Sequence, residues 1–103
     1  MKEDNFVEKL QEEIEVMERH LKMLTIIRKE GPIGIIKLSE ITGFPAHKVR
    51  YSLRILESSG LIRPSVNGAV VTEKTEEFIN QFRNILNKLV ERLQNLEKSL
   101  LPR

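Results

Sequence analysis

His47, Lys48, Arg50, Tyr51, Arg54 and Ser58 fall within one twelve-residue stretch. These side chains suit binding more than bond-making. A helix turns about 100° per residue, so a helix here gathers His47, Tyr51, Arg54 and Ser58 on one face. Lys48 and Arg50 flank that face, while Val49, Leu53 and Leu56 lie opposite it and should pack inward. A helix fits the major groove of duplex DNA, where an arginine can bond two acceptors of guanine at once. His, Tyr and Ser can bond base edges or phosphates. The expected readers are Arg50, Tyr51 and Arg54, with His47 and Lys48 near the strand backbone and Lys37 and Arg63 as phosphate clamps. Blander readings stand beside these. Arg50 could pair with Glu57, Tyr51 could pack on the core edge, and His47 could be a solvated or capping group.

Other chemistry is poorly supplied. The chain has no cysteine, which excludes disulfides, thiolate zinc sites and cysteine nucleophiles. Its two histidines, His20 and His47, are too far apart in sequence for a local metal pair. No phosphate loop, dinucleotide fingerprint, acid pair or nucleophile–base set appears. The expectation is a protein that is not an enzyme and holds no metal or cofactor. Glu40 and Glu57 read as helix-surface ion-pair partners. His20 lies beside Arg19 and Lys22, where a role in sensing pH is the less favoured reading. A small-molecule effector is left open.

Charge is unevenly spread over the 103 residues. The net charge of +2 resolves into −5 over residues 1–18, +6 over 19–64 and +1 over 65–103. A basic middle of this kind suggests a localised anion-binding face, although solvated helix faces can look the same. Hydrophobic residues make up 40% and charged residues 31%, enough to form a core in a single domain. No apolar run reaches the roughly 18–20 residues of a membrane span. The charged start MKEDNFVEKL is unlike a signal peptide, so a cytoplasmic location is expected.

The elements that would position the basic stretch follow from periodicity. Phe6, Leu10, Ile14, Met17, Leu21 and Leu24 step by three or four, predicting a helix from about Asp4 to Glu30, stopped at Gly31-Pro32. Ile35, Leu38 and Ile41 predict a short helix from Ile35 to Thr42, closed by Gly43 in the left-handed region. A third helix runs from about Ala46 to Ser59, led in by Phe44-Pro45 and closed by Gly60. Strands at Leu61–Ser65 and Ala69–Thr72 flank Asn67-Gly68, read as the centre of a hairpin turn with positive φ at both residues. Pro64 places the first strand on an edge. Thr72 is the expected cap of a last helix, about Glu73 to Leu101.

The segment LSEITGFPAHKVRYSLRILESSGLI, residues 38–62, resembles the helix-turn-helix of small bacterial and archaeal winged-helix transcriptional regulators. The resemblance rests on Leu38-Ser39-Glu40, Gly43, and then Val49, Leu53, Leu56, Glu57, Gly60, Leu61 and Ile62. It covers about Leu21 to Thr72. Pro45 stands where that group usually has a Ser or Thr cap. The wing is short, with Asn67 and Gly68 at its tip, so Asn67 is the one wing residue assigned to DNA. The resemblance implies a mostly α fold with a short β-hairpin wing. It also implies a sequence-specific regulator binding double-stranded DNA.

The arms imply a partner. Ile79, Phe82, Leu86, Leu89, Leu93, Leu96 and Leu100 keep a heptad rhythm like that of a coiled coil. Four leucines facing water represent roughly 6–12 kcal/mol of unused burial. The two arms could pack together within one chain or pair across a two-fold axis. The favoured reading is a homodimer through Phe6, Leu10, Ile14, Leu86, Leu89, Leu93, Leu96 and Leu100. One domain is then expected: an arm over 1–20, a winged-helix body over 21–72 and a dimerisation helix over 73–101. The competing functions are a winged helix serving as a protein-interaction module and a nonspecific chromosomal DNA-binding protein. The first of these predicts an exposed apolar patch on the third helix, where Ile55 is the one hint.

Overall fold

The structure is a computed structural model and describes residues 5–102. The element order is α1 (Phe6–Glu30), α2 (Ile35–Thr42), α3 (Ala46–Ser58), β1 (Ile62–Ser65), β2 (Gly68–Val71) and α4 (Thr75–Ser99). It divides into two compact units, one ending at Glu73 and the other beginning at Lys74. Asp4, the expected start of the first helix, lies outside the described residues.

In the first unit, α1 opens on Asn5. The Asn5 side-chain oxygen accepts hydrogen bonds from the backbone N–H groups of Val7 (2.8 Å) and Glu8 (3.2 Å). Two otherwise orphan donors are thereby satisfied. The helix buries only its second half, through Met23, Leu24 and Ile27. With Ile33, Leu38, Val49, Leu56, Leu61 and Ile62 these form the core. In α2 the predicted stripe is only partly used. Leu38 is buried, Ile35 is half-buried and Ile41 is exposed. Ile36 is 77% exposed.

Gly43 adopts φ 79° at the end of α2, and its N–H reaches the Ser39 carbonyl at 2.8 Å. Pro45 leaves α3 without a side-chain cap. The turn is held from the α2 side instead. Ser39 Oγ donates to the Phe44 carbonyl (2.6 Å), and Phe44 N–H donates to Thr42 Oγ1 (3.2 Å).

The hairpin differs from expectation at its tip. Ser65 pairs with Gly68, so Val66 and Asn67 form the centre of the turn. Asn67 does not have positive φ; Gly68 does, at 125°. The reason is a third backbone segment that the sequence did not announce. Ile33 bridges Ala69, with Ile33 N–H to Ala69 O at 3.2 Å and Ala69 N–H to Ile33 O at 2.8 Å. Gly68 lies so close to Ile33 that no side chain fits there. β2 is therefore the middle segment. Pro64 sits opposite Ala69 on the edge strand, where its missing donor is not required.

In the second unit, α4 is 25 residues long, roughly 37 Å at 1.5 Å per residue. Thr72 does not cap it. Lys74 takes the cap position, where no side chain caps the helix, and Thr72 Oγ1 donates to the Gly60 carbonyl at 2.6 Å. The helix begins at Thr75, so Thr72 stands two residues before the cap position. Phe78 and Phe82 stack with centroids 5.5 Å apart. Among the described residues, no helix is long and apolar enough to cross a membrane.

Candidate nucleic-acid interface

The α3 sequence divides its own surface. Val49, Ser52 and Leu56 are buried, and Leu53 and Ile55 are half-buried. His47, Lys48, Arg50, Arg54 and Ser58 are exposed, and Tyr51 is 44% exposed. The inward face is thus as expected, with the addition of Ser52. Ile55 packs too far in to form a patch.

The cations on this surface are available. Among the described residues, Lys37, Lys48, Arg50, Arg54 and Arg63 make no ion pair within 4 Å. The alternative Arg50–Glu57 pair does not form, and Glu40 and Glu57, expected as ion-pair partners, are not ion-paired within the same set. A spacing of seven spans two full turns, beyond the three- or four-residue step at which helix neighbours meet. Ser58 spends its hydroxyl hydrogen on the Ile55 carbonyl at 3.0 Å, leaving it only lone pairs to offer.

The other expected residues sit around α3. Arg63 on β1 lines a groove of about 280 Å³, whose opposite wall carries Leu53 and Glu57 of α3. Lys37 is exposed on α2, and Asn67 is exposed at the hairpin tip. Lys48 shares a depression with Glu15, Glu18, Arg19, Lys22 and Phe44. Acids of α1 thus border the start of the basic face, and Lys22 lies over the Phe44 ring at 5.8 Å. The pattern of α1 acids predicted the negative charge but not its location.

Sequence reasoning missed the polar contact beneath Tyr51. Ser52 is fully buried, and its Oγ accepts from Arg19 Nε at 3.1 Å. The same oxygen lies 2.8 Å from His20 Nδ1. The His20 and Tyr51 rings stand 5.7 Å apart, tilted by 43°. Burial, and then the neighbouring Arg19 charge, hold His20 below its ordinary value of 6.5. The unfolded chain therefore takes up this proton first. Stability is full well above pH 6.5 and declines as the pH falls through 6.5 toward the folded value. Thermal melts of the wild type at about pH 8 and about pH 5 should show this loss, and His20→Gln should reduce it. The only sequence signal was a serine on the apolar face of α3 (Ser52), facing a histidine-bearing helix.

Among the described residues, no group of three or more metal-ligating side chains is gathered. No protein-family model matches the chain, and no curated protein matches it. Among solved structures, the activation domain of the phage T4 transcription factor MotA is similar, with a TM-score of 0.59 and 20% identity. The match covers 77% of this chain and 82% of that one. At this identity the likeness is one of fold.

Proposed function

We propose that the chain is a sequence-specific, double-stranded DNA-binding transcriptional regulator, acting as a homodimer with α3 in the major groove. The observation that carries this reading is the α3 surface itself, which presents exposed Arg50 and Arg54 without ion-pair partners among the described residues. The element order and the Ile33–Ala69 bridge support a winged helix, with the hairpin as its wing. The similar structure is named as part of a transcription factor, which agrees with this class. The same reading makes the chain a DNA-binding protein rather than an enzyme, and no membrane role is assigned.

In this reading Arg50, Arg54 and Tyr51 read base edges, and His47, Lys48 and Ser58 lie toward the sugar-phosphate backbone. Lys37 and Arg63 meet phosphates from either side of the helix, and Asn67 is the wing contact. A two-fold pair of such helices reads half-sites about 34–36 Å apart. Self-association would run through the arm stripes of α1 and α4.

The test is selection of bound sequences from random duplex, followed by titration in several salt concentrations. A selected, nearly palindromic site is the expected result. Arg54→Ala should weaken binding to that site by about 1–3 kcal/mol and relax one base position. If Arg54 meets a phosphate instead, the salt slope should fall by about 0.9 with no change in preference. Equal affinity for all duplexes would mean chromosomal coating, and no duplex binding in dilute salt would overturn the reading.

A second reading, a protein-interaction module, has one observation in its favour. The similar domain is named for activation, and Ile36 on α2 is exposed as an apolar contact would be. It predicts that Ile36→Ser, and not Arg54→Ala, removes function.

A further inference from the structure

The tyrosine on the α3 face is not free-standing. It is the chain's single tyrosine, there is no tryptophan, and its ring rests against His20 of α1. Beneath it, one buried oxygen joins the two helices. Ser52 Oγ has a donor on one side, Arg19 Nε at 3.1 Å, and a ring nitrogen on the other, His20 Nδ1 at 2.8 Å. A serine hydroxyl carries one hydrogen and two lone pairs. Arg19 can only donate, so the arrangement closes when Ser52 gives its hydrogen to an unprotonated Nδ1. In that arrangement the imidazole is neutral with its proton on Nε2.

We propose that His20 is a positioning residue for Tyr51, and that a proton on His20 undoes the contact that seats Tyr51 against α1. The proton comes from solvent and lands on Nδ1. That nitrogen then becomes a donor, and two cationic donors converge on one serine oxygen. The Ser52 hydrogen must turn to another acceptor in a site with no access to water. Among the described residues, the influences resolved on His20 are burial and Arg19, and neither favours its charged form. Its neighbours one turn away on α1 are Val16, Met17, Met23 and Leu24. Arg19 is positive. The charged or titratable α3 residues around Tyr51 are His47, Lys48, Arg50 and Arg54, and β2 contributes none. Glu15 and Glu18 line the depression with Arg19 and Lys48 rather than the Ser52 contact. The bearing of this switch on duplex binding rests on the reading of α3 given above; the switch itself does not.

Tyrosine emission of the full-length chain reports on Tyr51 alone, with no ligand required. The expected result is a one-proton step in emission with its midpoint below 6.5. His20→Gln keeps an acceptor for Ser52 but cannot protonate, and should lose the step. His47→Gln should retain it. Nitrogen-15 spectra of the wild-type imidazoles provide a check that needs no variant. They should show His20 Nδ1 unprotonated at neutral pH, and the Tyr51 ring signals should move with the His20 midpoint. Flat emission, a step that follows His47, or a neutral His20 protonated on Nδ1 would each overturn the proposal. Titration of a selected duplex against the same proteins keeps the two ideas apart. Absent duplex binding with the emission step intact sinks the DNA reading and leaves the switch standing.

Discussion

Gly68→Ala is expected to lower the stability of the fold by about 3–5 kcal/mol, combining backbone strain with overpacking. The added methyl would stand 2.4 Å from the Ile33 carbonyl carbon, 2.6 Å from its oxygen and 2.7 Å from its nitrogen. All three are backbone atoms, and they belong to the segment that bonds Ala69. They cannot give way as the tip of a flexible side chain would. The φ of 125° at Gly68 adds a conformation that L side chains rarely adopt. Two other glycines calibrate the effect. Gly43 has φ 79° but open space around it, so Gly43→Ala should cost only about 1 kcal/mol. Gly34 has open space and φ −101°, so Gly34→Ala should be nearly neutral. Thermal unfolding followed by circular dichroism would rank the three. A Gly68→Ala protein melting with the wild type would mean that the hairpin does not lie against Ile33.

The second large effect concerns the arms. Leu93→Glu should convert a dimer into a monomer while leaving the first unit folded. On α4, Leu93 is 54% exposed and Leu96 61%, Ile85, Leu89 and Val90 are exposed as well, and Leu100, which caps the helix, is 82% exposed. On α1, Phe6 is 74% exposed, with Val7, Leu10 and Ile14 also open to water. Leu86 is half-buried. Exposed apolar residues on both stripes are what the dimer proposal requires. A carboxylate at an apolar interface lacks a partner and costs about 3–5 kcal/mol per copy. Two copies bring the loss to at least about 6 kcal/mol, on the order of 10⁴ in the dimer constant. Sedimentation equilibrium at micromolar concentration should find twice 12.0 kDa for the wild type and 12.0 kDa for the variant. A wild-type chain sedimenting at 12.0 kDa would remove the proposal outright.

Much of this fold was legible because its signals are local. Apolar steps of three and four marked α1, α3 and α4, and Gly43 marked the turn that ends α2. The inward face of α3 followed from Val49, Leu53 and Leu56, and its outward face from the residues left over. What escaped notice was nonlocal. The bridge between Ile33 and Ala69 joins residues far apart in sequence, and nothing in either residue's type announces it. It also explains why the turn centre moved to Val66-Asn67. The Asn-Gly signal assumes a hairpin with both faces open, and here Gly68 was recruited to admit a passing backbone. Thr72 differs from expectation for a local reason. A cap must stand immediately before the first helical residue, and α4 begins at Thr75, so Lys74 and not Thr72 holds that position. Ser52 illustrates a third limit. Its burial depends on Arg19 and His20 arriving from another helix, so periodicity can place it on the inner face but cannot say what satisfies it.

The bridge at Ile33 also has a mechanical meaning. Two hydrogen bonds fasten the hairpin, one residue pair in from its tip, to the short connector between α1 and α2, so its outer end is not free to swing. A load on the loop at Val66 and Asn67 passes through Ala69 into that connector, and from there to the first turn of α2. The hairpin is therefore clamped close to its tip, and the amides of Ile33 and Ala69 should exchange with solvent together, as one latch.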